Sequence, residues 1–291
     1  MTTLRPAPST DAPARRRGVV LALTAGASNQ TGAAIGAHAF DAIGPGGVVA
    51  VRQVVAASVL LPTVRPPVRR FTWAQWWPVL LLGLAFGGMN LGLYTAVDRL
   101  GLGLAVTLEF LGPLTVALLG SRRAVDLACA ALAAAGVYAL VLPSGSTDLL
   151  GVGAGLAAAA CWAAYILLNR LVGRRLPGLQ ATASAAGVSA VVYLPVAASL
   201  LLGGHVAWQP VALAAVAGLL SSVVPYALDL TALRLVPARA FGVLMSAHPV
   251  LAALAGLLLL GQALAAHELV GIALVVVANV VAMATAARPR R

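Results

Sequence analysis

Ten times along this chain, a run of about twenty residues passes with almost no charge, the length an α-helix needs to cross a bilayer core of about 30 Å. Inside hydrocarbon each backbone N–H and C=O must find its partner within the protein, so runs of this kind are restricted to helices. The sequence therefore predicts an all-α integral membrane protein, with spans near 18–39, 46–62, 75–97, 101–119, 124–142, 150–170, 179–202, 208–232, 238–260 and 267–287. Only 9% of the 291 residues are charged, where a soluble domain carries about 25%. The runs cover the whole length and leave no stretch for a separate soluble domain.

Loop arginines give the runs a direction, because arginine accumulates on the cytoplasmic side of short loops. All nineteen basic residues are arginine. With ten spans and the N-terminus inside, cytoplasmic segments hold seventeen of them: Arg5, Arg15, Arg16, Arg17, Arg65, Arg69, Arg70, Arg122, Arg123, Arg170, Arg174, Arg175, Arg234, Arg239, Arg288, Arg290 and Arg291. Outer loops hold Arg99 alone, and Arg52 lies within the second span. A miscounted helix would invert every later loop and bring the totals toward parity. The expected organisation is a disordered cytoplasmic tail over 1–17, five helices over 18–142, five more over 150–287 and a cytoplasmic tail over 288–291. The arginines before the first run imitate a signal peptide, but the run is long and further spans follow it, which favours a transmembrane helix.

The net charge of +11 belongs to loops and tails, without the basic stripe and interleaved aromatics of a nucleic-acid surface. Cys129 and Cys161 sit in apolar runs, where a thiol behaves as a small hydrophobe, and they form neither a disulfide framework nor a metal site. The GxGxxG-like strings follow no strand, so nucleotide binding is not indicated. Ser221 and Ser222 lie near Asp229, but no histidine shares their span, which argues against an intramembrane enzyme. No cofactor is called for. The expected partners are a small polar metabolite or amino acid, protons and the lipid bilayer, with the chain a monomer or homodimer.

Sliding the chain against itself by 136 residues brings Ala96 onto Ala232, Leu104 onto Ala240, Pro113 onto Pro249 and Gly120 onto Gly256; a shift of 133 brings Pro62 onto Pro195. These matches describe two halves of five helices. Five is odd, so the halves are inverted relative to each other, an arrangement that in secondary transporters puts the binding site near the midplane. Gly83, Gly87 and Gly88, and Gly151 with Gly155, suit close helix approach.

Glu109 is the one charge in the span 101–119, and an unpaired carboxylate in hydrocarbon costs several kcal/mol. It either binds a substrate ammonium or a proton, or forms a structural ion pair, with Arg52 as the natural partner. Pro113, four residues on, shares its face and frees a backbone carbonyl. Arg52, whose planar fork suits a carboxylate, could clamp a substrate carboxylate or serve as counter-ion to Glu109 or Asp229. Asp229 shares a side of the eighth span with Ser222, Pro225 and Tyr226, and is either a second titrating group or the partner of Arg234 or Arg239. Asn90 and Tyr94 offer an amide and a phenol from one side of the third span. Trp162, Tyr165 and Asn169 in the sixth, and Asn29 and Gln30 in the first, add polar groups that serve a ligand or bind helices together. His248 precedes Pro249, and is either proton-responsive or a packed neutral imidazole. His38, His205 and His267 fall near helix ends.

The segments Gly87-Gly88-Met89-Asn90, AVTLEFLGPLTVALLGSRRAVD over 105–126, and SSVVPYALDLTALRLVPARAFGVLMSAHPVLAALAGLLLLG over 221–261 resemble the EamA-type members of the drug/metabolite transporter superfamily, in particular bacterial inner-membrane exporters of threonine and homoserine. The resemblance implies ten helices in two inverted five-helix repeats, and secondary active export of small amino acids or related metabolites by proton antiport. A drug, sugar-phosphate or nucleobase transporter of the same fold is the alternative. Chemistry and placement make Glu109, Asn90, Tyr94, Arg52, Tyr165, Tyr226 and His248 the candidate substrate contacts, Glu109, Asp229 and His248 the candidates for proton coupling, and Pro113 and Pro249 the expected helix breaks; the expected location is a bacterial plasma membrane. The chain departs from the pattern at one point: the second repeat of such exporters usually has Glu before this proline, and here the residue is His248. The 136-residue shift places Met245 opposite Glu109, so the first half supplies its acid alone.

Overall fold

The computed structural model describes residues 12–119, 123–140, 148–177, 179–202 and 207–286. Among these residues every regular element is helical, as hydrocarbon burial of the backbone demands. In chain order they are α1 (Ala12–Ala37), α2 (Phe40–Val64), a single 3-10 turn (Val68–Arg70), α3 (Trp73–Leu100), α4 (Leu102–Glu109), α5 (Leu111–Leu118), α6 (Ala124–Leu140), α7 (Leu149–Val172), α8 (Gln180–Leu202), α9 (Trp208–Gly218), a π-helical segment (Leu219–Val223), α10 (Val224–Leu235), α11 (Ala238–Met245), α12 (His248–Leu260) and α13 (Ala266–Ala286). Seven stretches among the described residues are long and apolar enough to cross a bilayer: Phe40–Val64, Trp73–Leu100, Leu149–Val172, Gln180–Leu200, Trp208–Leu235, Ala240–Leu260 and Ala266–Thr285. Leu102–Leu118 and Ala124–Leu140 are shorter apolar helices. The chain is a multi-pass membrane protein.

Several boundaries differ from the expected spans. Residues 12–17, assigned to the disordered tail, are the first turns of α1, and residues 1–11 and 287–291 lie outside the described residues. α2 opens at Phe40 and kinks at Gly44, where a φ of 68° before Pro45 takes a conformation that glycine adopts without strain. The spans 101–119 and 238–260 are each broken in two, at Phe110 and at Ser246-Ala247. Proline is the cause in both. Pro113 lacks the N–H that would bond the Glu109 carbonyl four residues back, and Pro249 does the same to Met245. The π segment inside 208–232 carries no proline or glycine signal of its own and is absent from the sequence expectation.

Without a hydrophobic force to drive helices together in lipid, close packing at small residues holds them. α3 runs against α7, where a β-carbon on Gly92 would sit 2.8 Å from the Ala154 carbonyl oxygen. α6 runs against α13 through facing glycines: a β-carbon on Gly136 would lie 2.9 Å from the Gly271 oxygen, and one on Gly271 2.7 Å from the Gly136 oxygen. α2 pairs with α8, α4 with α12, and α1 with α9 and α10. Beyond the apolar region, Asp148 caps α7 by accepting from the Gly151 amide at 2.9 Å and from Arg99 Nη1 at 2.9 Å. The Gly151 amide first, and then Arg99, hold the Asp148 carboxyl below the usual carboxylate range.

Candidate functional site

Both helix breaks, the π segment and the polar stretch of α1 converge on one cavity of about 260 Å³. Its wall takes Asn29 and Gln30 from α1, Arg52 from α2, Asn90 from α3, Glu109 from α4, Trp162 and Tyr165 from α7, Asp229 from α10 and His248 from α12. Five of the seven expected ligand-contact residues, Glu109, Asn90, Arg52, Tyr165 and His248, line it; Tyr94 does not, and the side chain of Tyr226 lies outside the described residues. Met89 and Met245, which the sequence marked in the Gly87–Asn90 segment and opposite Glu109, also line the cavity, as do Phe86, Phe110 and Thr182, which no sequence signal singled out.

The charges are buried and separate. Arg52 and Glu109 are 5% and 6% exposed, yet among the described residues they form no ion pair within 4 Å. The direct Glu109–Arg52 bridge that the sequence allowed is thus not made. The Arg52 guanidinium instead lies over the Tyr94 ring, 4.7 Å from its centroid, and Arg52 Nε has no hydrogen-bond partner among the described residues. Tyr94 is fully buried, edge-on to Phe40 at 5.6 Å between centroids. Its hydroxyl lies near Ser221 and Arg52 but closes no hydrogen bond of good geometry. Tyr94 does not line the cavity, a correction to its expected place as a ligand contact: its ring face is taken up by the cation.

Asp229 faces the cavity with Oδ1 buried and unpartnered among the described residues; of its two expected partners Arg234 is exposed, and the side chain of Arg239 lies outside the described residues. The π segment sets its orientation. A π turn displaces the helical hydrogen-bond ladder, and α1 takes up the slack: Ser28 Oγ donates to the Leu220 carbonyl at 2.8 Å, and Ser221 Oγ donates to the Asn29 carbonyl at 2.9 Å. Gly32 makes this approach possible, since a β-carbon there would collide with Ser221 Oγ and lie 2.8 Å from Leu220 Cβ.

His248 opens α12 and sits at the seam between α1 and the α4–α5 break. Gln30 Nε2 donates to His248 Nδ1 at 3.2 Å, which makes Nδ1 the acceptor and puts the ring proton on Nε2. That Nε2 is buried without a partner. The imidazole lies against Phe110, 5.5 Å between centroids, and Phe110 meets Trp162 edge-on at 4.7 Å. One aromatic row therefore crosses from α12 to α7 through the break beside Glu109.

A buried cavity with opposed, unpaired charges, reached by broken helices in a multi-pass helical membrane protein, defines a membrane transporter. Residues 149–284 match the EamA-like transporter family, and the chain belongs to that family. It is 37% identical over 269 residues to the threonine/homoserine exporter RhtA of Escherichia coli K12, covering 90% of this chain and 89% of that one. It is 36% identical over 265 residues to RhtA of Salmonella typhimurium LT2, with the same coverage. A solved crystal structure shares the fold with a TM-score of 0.55 at 21% identity, over 95% of this chain and 97% of its own. The protein is a transporter and not an enzyme.

Proposed function

We propose that this chain exports small amino acids of the threonine and homoserine kind, or closely related metabolites, across a bacterial plasma membrane in exchange for protons. The observation that carries the reading is the pair of buried, opposite, unjoined charges, Arg52 and Glu109, in one small cavity. An amino acid is a zwitterion, and it completes both: its ammonium meets Glu109 and its carboxylate meets the Arg52 fork. A volume of about 260 Å³ falls just below the roughly 300–1,000 Å³ of drug-sized pockets. Among the described lining residues Arg52 is the one cation, against Glu109 and Asp229, a balance that suits a zwitterion and opposes a phosphate dianion. The similar exporters named for threonine and homoserine support the same substrate class.

In this reading ten spans form two inverted five-helix repeats with both termini cytoplasmic. The two helix breaks are 136 residues apart, the same shift that aligns the halves. α2 packs on α8 and α6 on α13, each on the helix that the shift makes its equivalent, and α3 packs on α7 as their equivalents α9–α10 and α1 pack on each other, a pattern that supports a two-fold relation between the halves. Glu109, with Asp229, alternates between protonated and substrate-paired states while the halves rock about the site. The test is accumulation of labelled threonine and homoserine in inside-out vesicles, with and without an imposed proton gradient. The gradient is expected to drive accumulation for the wild type and not for Glu109→Gln. Undiminished coupled transport by Glu109→Gln would refute the assigned role.

A further inference from the structure

We infer that Asn90 reads the side-chain hydroxyl of the transported amino acid and so sets the preference for hydroxylated over apolar substrates, an inference that rests on the amino-acid reading above. Asn90 lines the cavity from α3 and is 4% exposed. Its Nδ2 donates to the Phe86 carbonyl at 2.8 Å. A carbonyl only accepts, so this bond fixes which way the amide points: nitrogen to the helix, oxygen away from it. The oxygen takes part in no hydrogen bond among the described residues. What Asn90 offers a ligand is therefore its amide oxygen as an acceptor, with the second Nδ2 hydrogen the one donor left beside it.

A hydroxyl can donate to that oxygen, a methyl cannot, and a carbonyl or carboxylate meets it lone pair to lone pair. Phe86, Met89, Leu93 and Val106 give the same cavity apolar wall. A hydroxyl buried there finds its partner in Asn90, and an apolar isostere leaves the amide oxygen desolvated and unpaired. Glu109, Arg52 and Asn90 then read three different groups of one small molecule: ammonium, carboxylate and hydroxyl.

Two isosteric pairs isolate the hydroxyl: threonine against valine, and homoserine against norvaline. Competition for transport is measured with the full chain in inside-out vesicles. The wild type is expected to favour the hydroxylated member of each pair by roughly ten- to a hundredfold, the range of one buried hydrogen bond left unmade. Asn90→Leu is expected to bring both ratios to within about threefold of unity while valine transport persists, which reports a folded carrier. Asn90→Ala carries the same expectation if the Leu variant fails to assemble. Retention of the wild-type ratios by Asn90→Leu and Asn90→Ala overturns the inference. A wild type that carries threonine and valine equally overturns it as well and leaves the exporter reading standing, whereas a wild type that carries no amino acid removes that reading itself.

Discussion

Gly83→Ala measures how tightly the wall of the cavity is set. Gly83 is buried on α3, and a β-carbon there would lie 2.7 Å from Val188 Cβ and Cγ1 and 2.8 Å from the Ala185 carbonyl oxygen. None of these is the movable end of a side chain: Val188 is stiff at its first torsion and the oxygen is backbone. To reach 3.4 Å, where ordinary contact begins, α8 must retreat by 3.4 − 2.7 = 0.7 Å, and Ala185 and Ala186 beside it line the cavity. Overpacking of this kind costs about 1–3 kcal/mol, against about 1 kcal/mol that alanine gains over glycine inside a helix. The net is a loss of at most about 2 kcal/mol. Gly153→Ala on α7 is the control, because no atom among the described residues lies within 4 Å of its β-carbon and only the helix-propensity gain remains. Thermal unfolding in detergent should lower Tm by up to about 8 °C for Gly83→Ala, at about 2–4 °C per kcal/mol, and leave Gly153→Ala level or slightly higher. Equal behaviour of the two variants would refute the packing argument.

Arg52→Lys keeps the charge but loses the planar fork that stacks on Tyr94, and should raise the KM for threonine about tenfold while Tyr94→Phe, which keeps the ring face, stays near wild type in the same vesicle assay. Ser28→Ala and Ser221→Ala each remove one bond between α1 and the π segment, and each should cost about 0.6 kcal/mol, the average for hydrogen bonds between membrane helices, read as a small fall in Tm that adds in the double variant. The depressed Asp148 carboxyl gives a pH effect of definite sign: its contribution to stability is present in full above the unfolded value of 3.8 and is lost as pH falls through its lower folded value. The Tm difference between wild type and Asp148→Asn should therefore stay constant from neutral pH down to about 5 and shrink in the acid range below 3.8.

The apolar runs and the prolines were legible because they act locally. A run of twenty apolar residues has to be a helix in lipid, and Pro113 or Pro249 removes a particular hydrogen bond whatever surrounds it. Glu109, Arg52, Asp229, Asn90, Tyr165 and His248 could be marked as costly polar groups at membrane depth, and the cavity brings all six together. Their partners were another matter. Nothing in the spacing of Tyr94 from Asn90 distinguishes a phenol facing a ligand from a ring lying under a guanidinium on another helix. The Gln30–His248 bond joins residues 218 positions apart, and its existence depends on how α1 and α12 pack. The helical start at Ala12 was hidden by Pro13 and three arginines, which read as a tail although proline is well tolerated in a first turn.

The π segment has a consequence for which changes in length this chain can tolerate. An α-helix turns about 100° per residue, whereas a π turn spends one residue more on about the same rotation. Leu219–Val223 therefore holds a residue that α10 does not need for its facing: taking one out of this segment to restore an unbroken α-helix would leave Asp229 facing nearly as it does, while taking one out of the α-helical stretch on either side would swing everything after it by that angle and carry Asp229 off the cavity wall. The segment works like slack in a rope, the one place within this span where a change of length can be absorbed, and what it would cost is the bond from Ser221 to the Asn29 carbonyl.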